Sequence, residues 1–330
     1  MSSDPVRAIA DAVLYEGYVL WPYRRSALKN QRRFTFGGVY PPSHSARHPD
    51  DRSAITTEML LEAHAQARVT ATVRFLHVVR RTAAQRQGDG LEAVDEIVVG
   101  GERYLTWEEA REREIELPAL TLARPGSGHT IPIEIAAGCD QELLGDRGAL
   151  IREWSALRGE ARLEALPVAG RVWRVSATVT NLTRFGGHAR EDALALTFCS
   201  THMMLRVDGG AFASLADPPP HLSAAAAECR NEGIWPALVG DPAKRDRILS
   251  APIILEDFPR VAPESPGDLF DGGEIDQLLI LNILALTDEE KAEMAATDAR
   301  AREILERTQR LTPEQLMALH GTIREFGMAR

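Results

Sequence analysis

Most of the stretch from Val172 to Asn181 alternates strictly between apolar and polar side chains, with Trp173, Val175, Ala177 and Val179 on one parity. Successive side chains of an extended strand point to opposite faces, so this period of two predicts a strand with one buried face and is incompatible with an amphipathic helix. Arg68 to Arg80 has the same character, rich in Val and Thr and apolar at 69, 71, 73 and 75. Ala161–Leu166, Ala193–Cys199, Met203–Val207 and Phe212–Leu215 are further short segments, evenly spaced and divided by Gly, Asn and Asp. Regular short strands of this kind predict a β-sandwich-like body of immunoglobulin type over residues 66–216. Glu96–Val99, Ile115–Leu122 and Thr130–Ile135 add strands to it. The textures VTATVRF (69–75) and VSATVTN (175–181) are similar. Either a duplicated sheet element or shared β-propensity accounts for them.

The flanks read differently. In the first 65 residues, Val13–Tyr15 and Tyr18–Trp21 look extended and are stopped by Pro22, and Arg32–Phe36 is a strand candidate ending at Gly37-Gly38. Pro41–Asp51 is a loop by its Pro, Ser and His content, and Thr56 or Thr57 caps a short helix to about Ala65. Thr106-Trp107-Glu108-Glu109 has the form of a capping box, opening a polar helix to about Glu114. After Pro218-Pro219-Pro220 comes a third region, residues 217–330. It begins with an Ala-rich helix at Ser223–Cys229 and with Ile234–Val239 and Ile253–Leu255, which Pro236 and Pro252 confine to sheet edges. Past an extended linker at Pro259–Pro266, Glu274–Leu286 predicts a deeply buried helix. Thr287 to Glu290 and Thr312 to Gln315 are capping boxes, Asp298 starts another helix, and Leu316, Leu319, His320, Ile323 and Phe326 line one face of the last. The expected class is therefore α+β, a sandwich-like body with a helical C-terminal region.

Composition narrows the function. The 330 residues are 44% hydrophobic and 26% charged, enough for a sizeable core. A net charge of −10 argues against broad binding to nucleic acid or anionic membranes. The cations are lopsided, 35 Arg against Lys29, Lys244 and Lys291, a bias typical of a GC-rich bacterial genome. Cys139, Cys199 and Cys229, odd in number and far apart, form no disulfide framework. The N-terminus has no signal-peptide pattern, and the best apolar run, Leu278–Leu286, falls short of the about 18 residues a spanning helix needs. A soluble, cytoplasmic protein is expected.

Two clusters are candidate sites. Cys199-Ser200-Thr201-His202, with Met203, Met204 and Cys229 as additions, offers thiolate and imidazole to a soft transition metal such as Zn²⁺, Fe²⁺ or Ni²⁺. Against this, Cys199 closes an apolar strand, where a thiol acts as a small hydrophobe, and no CxxC is present. The second cluster is the basic-aromatic segment of Tyr23, Arg24, Arg25, Lys29, Asn30, Arg32 and Arg33, followed by Phe34 and Phe36. It fits a protein partner, or single-stranded nucleic acid stacked on the aromatics. It also fits the ten carboxylates between Glu264 and Asp298, which face Lys291 alone, either within one chain or in a homodimer. Asp268 to Asp276 lacks calcium-loop spacing, Glu256 and Asp257 are adjacent and point apart, and no GxSxG, HExxH, P-loop or GxGxxG occurs.

Several stretches carry a resemblance. They are Tyr15-Glu16-Gly17-Tyr18 through Pro22-Tyr23-Arg24 with Lys29-Asn30, Cys229-Arg230-Asn231, Ser265 to Asp271 followed by Glu274-Ile275-Asp276, and Leu286 to Lys291. Together the chain resembles an uncharacterised family associated with NiFe-hydrogenase gene clusters of actinobacteria and other GC-rich bacteria. The resemblance implies an accessory protein that helps to assemble, stabilise or dock a metalloenzyme, with hydrogenase subunits as partners, and it carries over no catalytic residues. The combined expectation is a non-enzymatic assembly factor without a cofactor. The alternatives are a metallochaperone or metal-dependent enzyme using Cys199, His202 and Cys229, and a single-stranded nucleic-acid binder.

Overall fold

The computed structural model describes residues 4–31, 33–34, 36–123, 126–259, 276–312 and 315. Its strands are β1 (Ala54–Gln87), β2 (Gly90–Val94), β3 (Glu96–Val99), β4 (Glu102–Leu105), β5 (Trp107–Thr121), β6 (Ser127–Ile135), β7 (Gly138–Leu144), β8 (Gly148–Trp154), β9 (Leu157–Ala169), β10 (Val172–Asn181), β11 (Cys199–Phe212), β12 (Trp235–Leu238) and β13 (Arg247–Ala251). The helices are α1 (Pro5–Tyr15), α2 (Pro42–Ser45), α3 (Arg190–Leu194), α4 (Ser223–Ala227), α5 (Asp276–Ala285), α6 (Asp288–Thr297) and α7 (Ala299–Gln309). Strand outweighs helix, 48% to 19%, so the chain is α+β built around a large antiparallel sheet.

The 34-residue β1 organises that sheet. Residues 54–62 pair with β10, 61–76 with β11, 68–81 with β5, 80–85 with β8 and 83–87 with β2, with register breaks against β11 after Ala63 and Arg74 and against β5 after Val69. Eleven strands thereby join one hydrogen-bonded network, and β3 and β4 form a separate pair. The sheet curls, bringing β5 alongside β6 and β9, and its enclosed face holds the main core. Alternate residues of each strand supply that core: Met59, Leu61, Val69, Ala71, Val73 and Phe75 from β1, Ala161, Leu163 and Ala165 from β9, and Trp173, Val175, Ala177 and Val179 from β10. Phe75 stacks on Phe198 at 4.6 Å between ring centres. The path of paired strands ends at β6 and β12, which carry Pro132 and Pro236 and so blunt the exposed edges. A division into two separate sheets of immunoglobulin type is not confirmed.

A second apolar layer covers the outside of the sheet. Leu14, Tyr15, Tyr18, Val19 and Tyr23 from the N-terminal region pack with Leu76 and Val78 of β1 and with Leu279, Ile283, Met294, Ile304 and Leu305 of the C-terminal helices. The N-terminal segment and helices α5–α7 therefore meet on one face, and the boundary at residue 65 falls inside β1.

Four local readings need correction. Residues 56–65 are strand, not helix: Glu, Met, Leu and Ala favour helix, but Met59, Leu61 and Ala63 enter the main core from a strand paired with β10. Residues 106–114 are also strand. The Thr106 hydroxyl donates to the Val94 carbonyl at 2.7 Å and accepts from the Ala83 amide at 3.0 Å, so it caps nothing, and the alternating Glu and Arg of β5 face different partners across the pleat. Val13–Tyr15 ends a helix whose signals, Asp4 as N-cap and Pro5 in the first turn, precede it. Ala193 and Leu194 close α3, and β11 begins only at Cys199.

Other expectations hold. α4 and the edge strand β12 lie where expected, and the capping box at Thr287 and the cap at Asp298 both form. Thr312 and Gln315 exchange the expected pair of hydrogen bonds. Met203–Val207 lies within the continuous β11, whereas Ile253–Leu255 joins no strand and Phe212 is the last residue of β11. Arg33 and Phe34 belong to no strand; Arg32, Thr35, the linker after Pro259, the Asp268 region and the helix from Leu316 lie outside the described residues.

Close approach at one glycine tests the packing. A Cβ on Gly159 would lie 2.5 Å from the Thr180 carbonyl oxygen and 2.7 Å from the Phe198 ring, whereas one on Gly186 meets nothing within 4 Å. Urea unfolding of Gly159→Ala is expected to show a loss of about 1–3 kcal/mol from overpacking, with Gly186→Ala within about 0.5 kcal/mol of the parent.

Candidate functional site

Three buried guanidinium groups hold the outer layer to the sheet. Arg74 of β1, 1% exposed, donates to Asp11 of α1 at 2.6 Å and to Glu112 of β5 at 3.2 Å, and lies 3.5 Å from Glu114. Glu112 also accepts from the Tyr15 hydroxyl at 2.6 Å and from Arg300 of α7 at 3.0 Å. Burial alone would raise the Glu112 carboxyl, but the Tyr15 hydroxyl and the two arginines outweigh it and hold it below the usual carboxylate range.

Arg81 closes the opposite end of the seam. It donates to Glu109 at 2.7 Å and to the carbonyls of Ala296 and Thr297 at 3.2 and 2.9 Å, capping the C-terminal end of α6 with a positive charge. Arg33 is caged by aromatics, 3.9 Å from the centre of the Trp107 ring and 4.9 Å from Phe34, and donates to the carbonyls of Tyr18 and Glu108. The Tyr18 hydroxyl donates to Asp298 at 2.7 Å, linking this cage to the start of α7.

The basic segment thus turns largely inward. Tyr23 is fully buried, and Asn30, 4% exposed, clasps its own loop through the Leu20 amide and the carbonyls of Leu20 and Arg24. Arg24 pairs with Glu290 at 2.9 Å, the Ser26 amide donates to Glu293 and the Arg25 amide donates to Thr297, so basic and acidic regions meet within one chain. Arg25 reaches Asp95 at 3.5 Å and Lys29 is exposed; Arg32 lies outside the described residues.

The metal candidates sit apart. Cys199 is buried in the outer layer, where burial pushes its thiol up to about 12. His202 is fully buried opposite Arg74 and is pushed down to about 3, by burial first and by Arg74 second. Cys229 is half-buried in a different cluster, against Leu60, Ala213 and Leu222. Met203 faces the main core and Met204 the α1 side, as neighbours on a strand must. Among the described residues no three His, Cys, Asp or Glu side chains converge as a metal set.

A separate concave feature lies away from these residues. A half-open cleft of about 900 Å³ runs between β1 and β8 on one side and the segment Phe185–Leu196, including α3, on the other. Val78, Trp154, Phe185 and Leu196 give it apolar walls. Its charges are Glu108, Glu153, Glu191 and Asp192 against Arg80 alone. Glu108 lies 3.9 Å from Arg33, whereas Glu153, Glu191, Asp192 and Arg80 form no ion pair among the described residues. The walls are fixed from behind. Ser43 donates to the Phe185 carbonyl at 2.6 Å and Arg47 to the Gly187 carbonyl at 2.7 Å. Trp154 donates to the Ala136 carbonyl and carries Arg111 4.1 Å above its ring, while Gly138 leaves room for that ring. Sequence reading missed this cleft because five separated segments build it. The one local signal, Glu191-Asp192 in the first turn of a short helix, was hidden by reading Ala193–Cys199 as strand.

No family model matches the chain, and no curated protein matches it. Among the described residues no helix is long and apolar enough to cross a membrane.

The buried histidines give a pH signature. His77 is pushed down to about 4, by burial first and then by Arg113, alongside His202 at about 3. In the unfolded chain both take up protons near the ordinary value of about 6.5, so below that pH the unfolded state binds more protons and stability falls toward the folded values. Between pH 7 and pH 5 each histidine is expected to remove about 2 kcal/mol of unfolding free energy, and His202→Leu should roughly halve the combined loss. Urea titrations at the two pH values check this; an unchanged slope in the variant contradicts it.

Proposed function

We propose that this chain is a non-enzymatic accessory or assembly factor that acts through protein–protein contacts, in the cytoplasm, with assembly or docking of a NiFe-hydrogenase as its setting. The setting rests on the resemblance carried by Tyr15 to Arg24 with Lys29-Asn30, Cys229 to Asn231, Ser265 to Asp271 with Glu274 to Asp276, and Leu286 to Lys291. The mode of action is supported by one observation above others. The chain's buried cations are matched from within, yet the cleft beside α3 leaves the carboxylates of Glu153, Glu191 and Asp192 without ion-pair partners among the described residues. Fixed walls, apolar side chains and unmatched charge are what a partner's surface can complement.

The sheet, in the immunoglobulin-like reading, serves as a rigid support for that surface. A thiol at about 12 and an imidazole at about 3 are a protonated thiol and a neutral ring near neutral pH, which favours a packing role for Cys199 and His202 over metal exchange. The test is purification of the tagged chain from a hydrogenase-bearing GC-rich bacterium, with identification of companions and elemental analysis. Hydrogenase subunits or their maturation proteins in stoichiometric amount are expected. Recovery of the chain without any hydrogenase polypeptide overturns the reading, as does stoichiometric transition metal lost on Cys199→Ser.

A further inference from the structure

We infer that the cleft between β8 and α3 receives an arginine- or lysine-bearing segment of a partner protein, an inference that rests on the protein-contact reading above. Charge decides the sign of the occupant. Four carboxylates and one guanidinium line the cleft, and the chain as a whole carries −10, so an acidic peptide or a nucleic acid meets repulsion at close range and at a distance. A basic segment meets three carboxylates that are not already committed to described cations.

The walls set apolar surface beside carboxylates, which suits a side chain with an apolar stem and a cationic head. Both aromatic side chains of the cleft already hold a guanidinium from this chain: Arg111 lies 4.1 Å from the centre of the Trp154 ring and Arg47 lies 5.7 Å from that of Phe185. Each ring thus has a cation of this chain over one face, and both rings line the cleft as apolar wall. The apolar side chains of Val78 and Leu196 provide surface for the methylene stem of an arginine or lysine. Shape favours a polypeptide over a small amine. The volume is at the upper end for ligand pockets, but the cleft is half-open, whereas a small-molecule site encloses most of its ligand. Because Ser43 and Arg47 brace the Phe185 to Gly187 backbone, the site is preformed and binding needs no reordering of that wall.

The test uses the full chain and two triple charge reversals. One reverses the cleft, Glu153→Lys with Glu191→Lys and Asp192→Lys; the other reverses exposed carboxylates outside the cleft, Glu92→Lys with Glu116→Lys and Glu256→Lys. The two change net charge equally, and circular dichroism with thermal melting verifies that both fold. The probes are a fluorescent arginine-rich peptide, its glutamate-substituted counterpart and single-stranded DNA, followed by anisotropy at low and high salt. The arginine peptide is expected to bind the parent and the outside variant alike, and to weaken at least about tenfold with the cleft variant and with added salt. Equal weakening by both variants, no binding by the parent, or binding of the acidic peptide or DNA at comparable strength overturns the inference. Purification from the native host separates the two levels. A cleft variant that retains its hydrogenase companions sinks the inference and leaves the protein-contact reading standing, whereas a parent without such companions sinks that reading.

Discussion

Burial of arginine charge on β1 is the constraint on which the outer half of this molecule depends. Arg74 and Arg81 are held at 1% and 5% exposure, where an unpaired guanidinium costs several kcal/mol. Each must be surrounded by carboxylates or carbonyls, and β1 and its sheet neighbours do not supply all of them. Asp11 comes from α1, and the carbonyls of Ala296 and Thr297 come from the end of α6. α1 and α6 are separated by most of the chain, yet both lie on β1 because its charges are completed there. Apolar packing of Leu14, Tyr18, Leu279 and Ile304 adds the bulk of the attraction, while the charges fix the register in which the layers meet.

How much of this was legible depended on where the controlling partner lay. The alternation in β10 needs only its own sequence, and the body strands around it were readable for that reason. The capping boxes at Thr287 and Thr312 are equally local. Residues 56–65 and 106–114 were not legible. Their composition favours helix, and only pairing across β1, β5 and β10, set by contacts tens of residues away, overrules it. The excess of basic residues near the N-terminus and of acids near the C-terminus was visible as a pair. That they join within one chain, through Arg24 and Glu290, is a matter of tertiary structure. The cleft was invisible because none of its five contributing segments carries a motif.

Charge therefore has two uses in this protein. Inside the seam it is matched group by group, and the sites that looked most like chemistry, Cys199 and His202, sit in packed surroundings that suppress ionisation of the thiol and protonation of the ring. In the cleft it is left open, above apolar walls that the α2 region holds in place. The same chain thus uses its buried arginines for cohesion, and the proposed recognition falls to carboxylates that have no ion-pair partner among the described residues.

Native-state hydrogen exchange followed by peptide mass analysis tests the seam most directly. The expected result is that α1, residues 18–31 and the α6–α7 pair open together in one step, at lower free energy than β1, β10 and β11 and at a rate independent of protein concentration. Independent opening of α6–α7 from residues 18–31, or protection that rises with concentration, would contradict a seam closed within a single chain.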